Sequence, residues 1–211
     1  LALTGVGLTF PLILVVTAFA NLYGAGGAPL FSMARGAQNP ARAQLILNNT
    51  FFLLCGTGVL LTALLLLFKR PLLFLFGASE ATYPYANSYL TIYLCGSVFV
   101  MLSLGLNGFI NAQGFAKKGM VTVLLGAVSN LILDPIFIFG LKMGVAGAAI
   151  ATVLSQLLSA LWALSFLCGK KPLVRIQFKS ISLNGRLVRQ IISLGASSFI
   201  MALTSSLVQV V

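Results

Sequence analysis

Asn130-Leu131-Ile132-Leu133-Asp134-Pro135-Ile136-Phe137-Ile138-Phe139-Gly140 is an apolar run interrupted by one carboxylate and one proline. The surrounding chain of 211 residues is 59% hydrophobic and 7% charged, more apolar surface than a domain folded in water can hide. The run therefore reads as membrane-embedded, and the fold as an all-α, polytopic membrane protein. An Asp at the centre of a transmembrane helix costs about 2.5–3.5 kcal/mol on insertion scales, and the usual reason for keeping one is an ion or a proton.

Outward from this run, the chain divides into about six apolar stretches, near Leu3–Met33, Leu45–Phe68, Tyr83–Gln113, Met120–Leu141, Val145–Leu167 and Ile191–Val211. Each is close to or above the roughly 20 residues that cross about 30 Å of hydrocarbon as a helix. The first and third are long, so a tilt, a kink or an extension beyond the bilayer is expected.

The net charge of +11 matters less than where the charges lie. Alternate connections place Arg35, Arg42, Lys117, Lys118, Lys170, Lys171, Arg175, Lys179, Arg186 and Arg189 on one side, and Lys69, Arg70 and Lys142 on the other. Ten against three marks the rich side as cytoplasmic. The basic groups are thereby explained as topology signals, and without an interleaved aromatic platform no nucleic-acid partner is expected. The sequon Asn48-Asn49-Thr50 falls on the cytoplasmic side or within the membrane, where glycosylation does not occur. Residue 1 falls on the outer face, with no initiating Met, basic n-region or cleavage site. An upstream helix is expected to be missing, Val211 is an equally abrupt end, and the chain reads as a fragment whose remainder is its missing partner.

Cys55, Cys95 and Cys168 are odd in number and far apart, which argues against disulfides or a metal cluster. With no His, one Asp and one Glu, the usual acid, base and metal-ligand constellations cannot be assembled, and no enzyme is expected.

Polar side chains inside the spans carry the remaining information. Pro11, Asn21, Gly24-Ala25-Gly26-Gly27 and Pro29 weaken or bend the first helix, either as an ordinary packing kink or at a cavity. Lys69-Arg70-Pro71-Leu72-Leu73-Phe74-Leu75-Phe76-Gly77 is too short to span and reads as an interfacial helix. Tyr89 and Tyr93, one turn apart, either anchor the interface or line a pocket for aromatic cations, the anchor being favoured. Asn107 and Asn111 share a helix face, where amides commonly serve as interhelical hydrogen-bond partners. Asn130 and Asp134 also stand on one face, and Pro135 tends to break the helix and free carbonyl oxygens. An Asp, an Asn and loose carbonyls are hard oxygen donors suited to a proton or a small alkali cation, sodium at Asp134 included; the structural alternative is an Asp hydrogen-bonded to a neighbour. After the turn Gly140-Leu141-Lys142-Met143-Gly144, the small residues Val145-Ala146-Gly147-Ala148-Ala149-Ile150-Ala151-Thr152 allow close helix approach. Ala148, Thr152 and Gln156 step down one face, and a close-packed hairpin would set Thr152 beside Asn130 and Asp134, with a backbone carbonyl to complete the cluster.

The run Leu133-Asp134-Pro135-Ile136-Phe137-Ile138-Phe139-Gly140-Leu141, then Gly144 to Thr152 and Ser155-Gln156, resembles the multidrug and toxic compound extrusion (MATE) family. Asn107-Gly108, Ala112-Gln113-Gly114, and Pro71-Leu72-Leu73 leading to Phe76-Gly77-Ala78-Ser79 extend the resemblance over the whole chain. It implies the second to the seventh of twelve helices: residues 1–189 as most of the amino-terminal lobe and 190–211 as the start of the carboxy-terminal one. It further implies a multi-pass antiporter of the inner (plasma) membrane that exports organic, often cationic drugs against sodium or protons, with no other cofactor. By the same resemblance Asp134, Asn130 and Thr152 match cation-binding positions, Ala148 contributes its carbonyl, and Asn107 and Tyr89 match the surrounding network. Asn111 and Gln156 join that network or the substrate pocket as expectations from their faces. The family's further Asp would lie upstream of Leu1, and the Glu that some branches carry in the seventh helix has no counterpart in 191–211. Two rivals stand beside this reading. A lipid-linked saccharide flippase would call for basic residues within the spans, and an uncoupled channel or assembly subunit leaves Asp134 without a purpose.

Overall fold

The structure is a computed structural model and describes residues 1–169, 171–177 and 183–208. Lys170, Lys179 and the end of the last predicted span at Val211 lie outside the described residues. The described chain is all-α: α1 (Ala2–Gly7), α2 (Phe10–Gly36), α3 (Pro40–Leu75), α4 (Tyr83–Cys95), α5 (Ser97–Ala112), α6 (Ala116–Pro135) with a π-helical turn at Ile136–Gly140, α7 (Gly144–Cys168) and α8 (Gly185–Val208). Five helical stretches are long and apolar enough to cross a membrane, and the α4–α5 pair makes up to six.

Local chemistry sets these boundaries. Pro11, Pro40 and Pro84 occupy first turns, where a missing N–H removes no helical bond. The Asn39 side chain accepts from the Arg42 N–H at 2.9 Å and caps α3. Gly77 and Gly114 take φ of +90° and +87° just past the ends of α3 and α5, a conformation that favours glycine.

The two long spans behave differently. α1 and α2 are separated at Leu8–Thr9, just ahead of Pro11, yet α2 then runs unbroken through Gly24–Gly27 and Pro29. The third span is bent by 54° at Gly96, where a Cβ would meet Val153 of α7 at 2.5 Å. The expected interfacial helix at Lys69–Gly77 does not form as a separate element. Its residues continue α3 through Pro71, and the Lys69 ammonium donates to Thr91 Oγ1 at 2.8 Å, a hydrogen-bond partner on α4.

α2 lies at the centre, against α3, α5 and α8, while α6 packs on α7 and α7 also covers α4 and α5. The contacts rest on glycine. A Cβ on Gly24 would meet the Gly105 Cα at 2.9 Å, one on Gly26 would overlap the Ile191 carbonyl, and one on Gly195 would overlap the Leu22 carbonyl. Phe31 and Phe109, both fully buried, pack edge to face at 5.3 Å beside this crossing.

Helix ends agree with the alternating topology. Arg35 at the end of α2 donates to the Ala112 carbonyl at the end of α5 at 2.5 Å. Asn48 exchanges hydrogen bonds with the Gln177 backbone at 3.1 and 3.2 Å, and Asn49 Oδ1 accepts from the Asn184 N–H at 3.1 Å. These amides hold the α7–α8 connection against the start of α3. Residue 189, the lobe boundary expected from the sequence, lies within α8, which begins at Gly185.

Gly26→Val and Gly195→Val are each expected to lower the thermal midpoint of the detergent-solubilised protein, by the equivalent of about 1–3 kcal/mol of overpacking. Gly56→Ala, which meets open space, should leave it unchanged or raise it. Equal midpoints for all three variants would show that the α2–α8 crossing does not hold the bundle.

Candidate functional site

Pro135 brings no N–H to the Leu131 carbonyl, and the Ile136 N–H turns back to the Leu133 carbonyl. The chain then widens into the π-helical turn, with the Leu141 N–H on the Ile136 carbonyl at 2.9 Å and the Met143 N–H on the Phe137 carbonyl at 3.1 Å. Such turns re-aim the residues before and after them. Lys142 and Gly144 take φ of +54° and +56° and reverse the chain into α7. Gly147 then comes so close to the Phe137 carbonyl that a Cβ there would stand 2.8 Å from its oxygen.

This hairpin assembles the first group of predicted residues. Asn130 Nδ2 donates to Asp134 Oδ1 at 3.4 Å and lies 3.5 Å from Thr152 Oγ1. Thr152 Oγ1 donates to the Ala148 carbonyl at 2.9 Å, and the buried Tyr89 of α4 packs in one cluster with Ala148 and Ala149. A carboxylate, an amide, a hydroxyl and a carbonyl thus meet where α4, α6 and α7 converge, all hard oxygen donors. Asp134 is half-buried, so the carboxylate keeps one open side. Among the described residues no cluster of three His, Cys, Asp or Glu side chains forms.

Tyr89 and Tyr93 are both buried and their rings stack at 6.4 Å, so they do not stand as interface anchors. The reason is the bend at Gly96, which folds α4 back against α7 and takes its inner face away from the interface.

Beyond Asn130 and Thr152 opens a cavity of about 320 Å³ between α5, α6 and α7. Gln156 crosses it to accept from Ser103 Oγ at 2.6 Å, and Asn107 also lines it. Asn107 Oδ1 is buried with no hydrogen-bond partner among the described residues. A second opening of about 500 Å³ shares Asn107 and Val123 with the first and includes Asn111 and Lys117. Asn111 is exposed there, one turn from the first cavity rather than in it. The predicted residues therefore form one tight cluster, one adjoining cavity wall and one outlying amide.

The MatE family model matches residues 1–136. The chain belongs to the MatE family. It is 28% identical over 199 residues to the multidrug export protein MepA of Staphylococcus haemolyticus, and 25% identical over 201 residues to that of Staphylococcus aureus strain NCTC 8325. These alignments cover 94% and 95% of this chain but 44% and 45% of the relatives, so the chain spans about half their length. Among solved structures it matches the inward-facing conformation of a multidrug resistance MATE family transporter of the MOP superfamily, with a TM-score of 0.94, 28% identity, and coverage of 99% of this chain and 48% of that one. The outward-facing conformation of such a transporter matches with a TM-score of 0.90 at 29% identity, covering 97% and 46%. The MatE architecture is all helical, as the spans led one to expect, and the chain covers about half of a transporter, as the resemblance implied. Transporters of this family are not enzymes.

Ser155 and Ser159 of α7 and Thr122 of α6 line the same cavity; the sequence pattern marks Ser155 only as part of the Ser155-Gln156 motif and does not mark the other two. The signal was available, since 152, 155, 156 and 159 lie on one helical face. Their hydroxyls turn to backbone carbonyls, Ser159 to Thr122 at 2.9 Å and Ser155 to Ala151 at 2.7 Å, so they wet the wall without presenting a charge.

If this cavity is hydrated, Asn107→Cys in a background lacking Cys55, Cys95 and Cys168 reacts with a small water-soluble thiol reagent at least about tenfold faster than Leu106→Cys, a fully buried neighbour. Equal rates would mean that water does not enter between α5, α6 and α7.

Proposed function

We propose that this chain supplies the ion-coupling lobe of a secondary active multidrug efflux antiporter in the plasma membrane, exchanging organic, often cationic compounds against sodium or protons. The observation that carries the reading is the Asp134–Asn130–Thr152 cluster at the edge of a polar intramembrane cavity. Kinship to proteins named for multidrug export supports the drug side of the exchange.

Asp134 is the group whose charge makes exchange possible. Low-dielectric surroundings penalise the bare carboxylate, and an arriving cation or proton relieves that cost. Asn130, the Thr152 hydroxyl and the Ala148 carbonyl offer oxygen ligands or hydrogen bonds within the same cluster, and Tyr89 of α4 packs beside Ala148. Asn107, Gln156 and, at the outer edge, Asn111 give the neighbouring space its polar lining. An organic cation and the coupling ion would then compete for one negative charge. A bound ion can shift the lobes only by its differential affinity for their two arrangements.

The chain's likeness to both an inward-facing and an outward-facing transporter supports movement of the lobe as a body, the usual form of alternating access. Among the described residues, the cavity bordered by Asn130 and Thr152 has no basic side chain in its lining, and the adjoining opening has one, Lys117. A lipid-linked saccharide flippase, which must hold an anionic head group, is therefore the weaker reading.

In cells expressing the full-length transporter that contains this lobe and its Asp134→Asn variant at matched membrane levels, the parent is expected to lower dye accumulation in a sodium- or pH-dependent way and the variant to lose that dependence. Unchanged ion dependence in the variant removes Asp134 from the mechanism. Thr152→Val, close to isosteric, is expected to weaken apparent ion affinity about tenfold, the equivalent of roughly 1.4 kcal/mol for one lost hydrogen bond near a charge. A variant with parental ion affinity would show that the hydroxyl is not a ligand.

A further inference from the structure

The charge-rich end of the bundle holds a pocket of about 300 Å³ where α6 begins and α7 ends, lined by Lys118, Trp162, Ser165, Phe166, Gly169 and Lys171. It belongs to neither cavity beside Asp134. Trp162 is fixed across the α6–α7 seam, its indole N–H donating to the Lys118 carbonyl at 3.4 Å, and the Lys118 ammonium stands 5.3 Å from the centre of its ring. Lys171 is exposed on the facing side.

Neither lysine has a carboxylate side chain within reach along the chain's own architecture. The sequence contains two acidic residues, Glu80 and Asp134. Glu80 lies in the α3–α4 connection at the opposite end, and Asp134 is 16 positions along α6 from Lys118, about 24 Å at 1.5 Å per residue. The helix ends add little net charge. The first turn of α6 has no side-chain cap and offers its N–H groups, the last turn of α7 offers carbonyls, and the two half-charges oppose each other. What remains is two ammonium groups around a space large enough for a phosphate.

The same face continues toward the bilayer centre as apolar surface. Leu158 lies one turn before Trp162 and Leu161 one turn before Ser165, and the two leucines are 46% and 53% exposed. An anion that fits both parts carries a phosphate at one end and hydrocarbon at the other. At about 37 Å, the 25 residues of α6 and its π-helical turn exceed the hydrocarbon thickness, so Lys118 stands at head-group level, where tryptophan is also favoured.

We propose that the Lys118–Trp162–Lys171 pocket binds the phosphate head group of an anionic glycerophospholipid, with its acyl chains along Leu158 and Leu161. Basic pockets between helices at this depth are suited to such head groups. The assignment rests on the membrane-spanning architecture and is independent of ion coupling at Asp134.

Trp162 is the single tryptophan of the chain, so its fluorescence reports on the pocket directly. The protein is reconstituted with increasing fractions of phosphatidylglycerol or phosphatidylcholine carrying the same dibrominated chains, and quenching is measured. Half-quenching is expected at a several-fold lower fraction of phosphatidylglycerol. Lys118→Gln/Lys171→Gln should abolish that preference, while Lys117→Gln/Arg186→Gln, which removes the same charge elsewhere at this end, should keep it. Equal quenching by the two lipids, or a preference that survives the first pair and not the second, overturns the proposal. Abolition of the preference by millimolar inorganic phosphate would assign the lysines to a soluble phosphate instead and overturn the lipid assignment.

Discussion

Apolar contact between helices gains little in a bilayer, because lipid tails are as apolar as leucine, so this bundle depends on how closely its backbones can approach. α2 shows the constraint most clearly. Gly24 faces Gly105, Gly26 faces the Ile191 carbonyl, and Gly195 faces the Leu22 carbonyl, so α5 and α8 both lie against α2 at positions where any side chain would hold them away. Interhelical hydrogen bonds are present, from Tyr23 to Thr57 at 2.9 Å and from Thr62 to Ser97 at 2.6 Å. Such bonds average about 0.6 kcal/mol in membranes, too little to place a helix alone. Close approach sets the positions, and the hydrogen bonds select among rotations.

The same device builds the candidate site. α6 and α7 are clamped at two levels: Gly126 admits Ser159, whose Oγ would lie 2.7 Å from a Cβ there, and Gly147 rests on Phe137. Eleven residues separate Gly126 from Phe137, about 16 Å of helix, and twelve separate Gly147 from Ser159, so the registers agree. Asn130 and Asp134 lie between the clamps on one helix, Ala148 and Thr152 on the other. Their convergence follows from backbone spacing. Pro135 adds a local disturbance beside the carboxylate, where the helix widens instead of ending.

Much of this was legible in the residues because hydropathy, small-residue density and i to i+4 spacing are local properties. The six apolar spans, the 140–144 reversal and the approach of Thr152 to Asn130 are all of that kind. What could not be read depends on a neighbour. Lys69-Arg70-Pro71 looks like a boundary, yet Thr91 receives the lysine and α3 continues. Gly24–Gly27 looks like a kink, yet α2 runs through it and α5 and α8 turn it into a contact surface. Asn48 and Asn49 look idle as a sequon and prove to hold the backbone of the α7–α8 connection, 129 and 135 residues later. Tyr89 and Tyr93 look like anchors until the bend at Gly96 buries them.

Asp134 is where these constraints bear on mechanism. Among the described residues its hydrogen-bond partner is one amide at 3.4 Å, and one long hydrogen bond compensates little of the cost of a charge at membrane depth. The energy of the carboxylate therefore depends on what else reaches its open side. The clamps at Gly126 and Gly147 leave little room for α6 to shift against α7, so a change in that energy is not readily absorbed inside the hairpin. On the proposed reading it is expressed where this half of the architecture meets other surfaces. The α2–α8 crossing is such a place if α8 opens the second lobe: the contact is made by backbone on both sides, and interfaces of that kind slip between discrete arrangements more readily than they deform. On the proposed reading, binding of the coupling ion at the carboxylate supplies the energy, and glycine contacts some distance away determine the motion it produces.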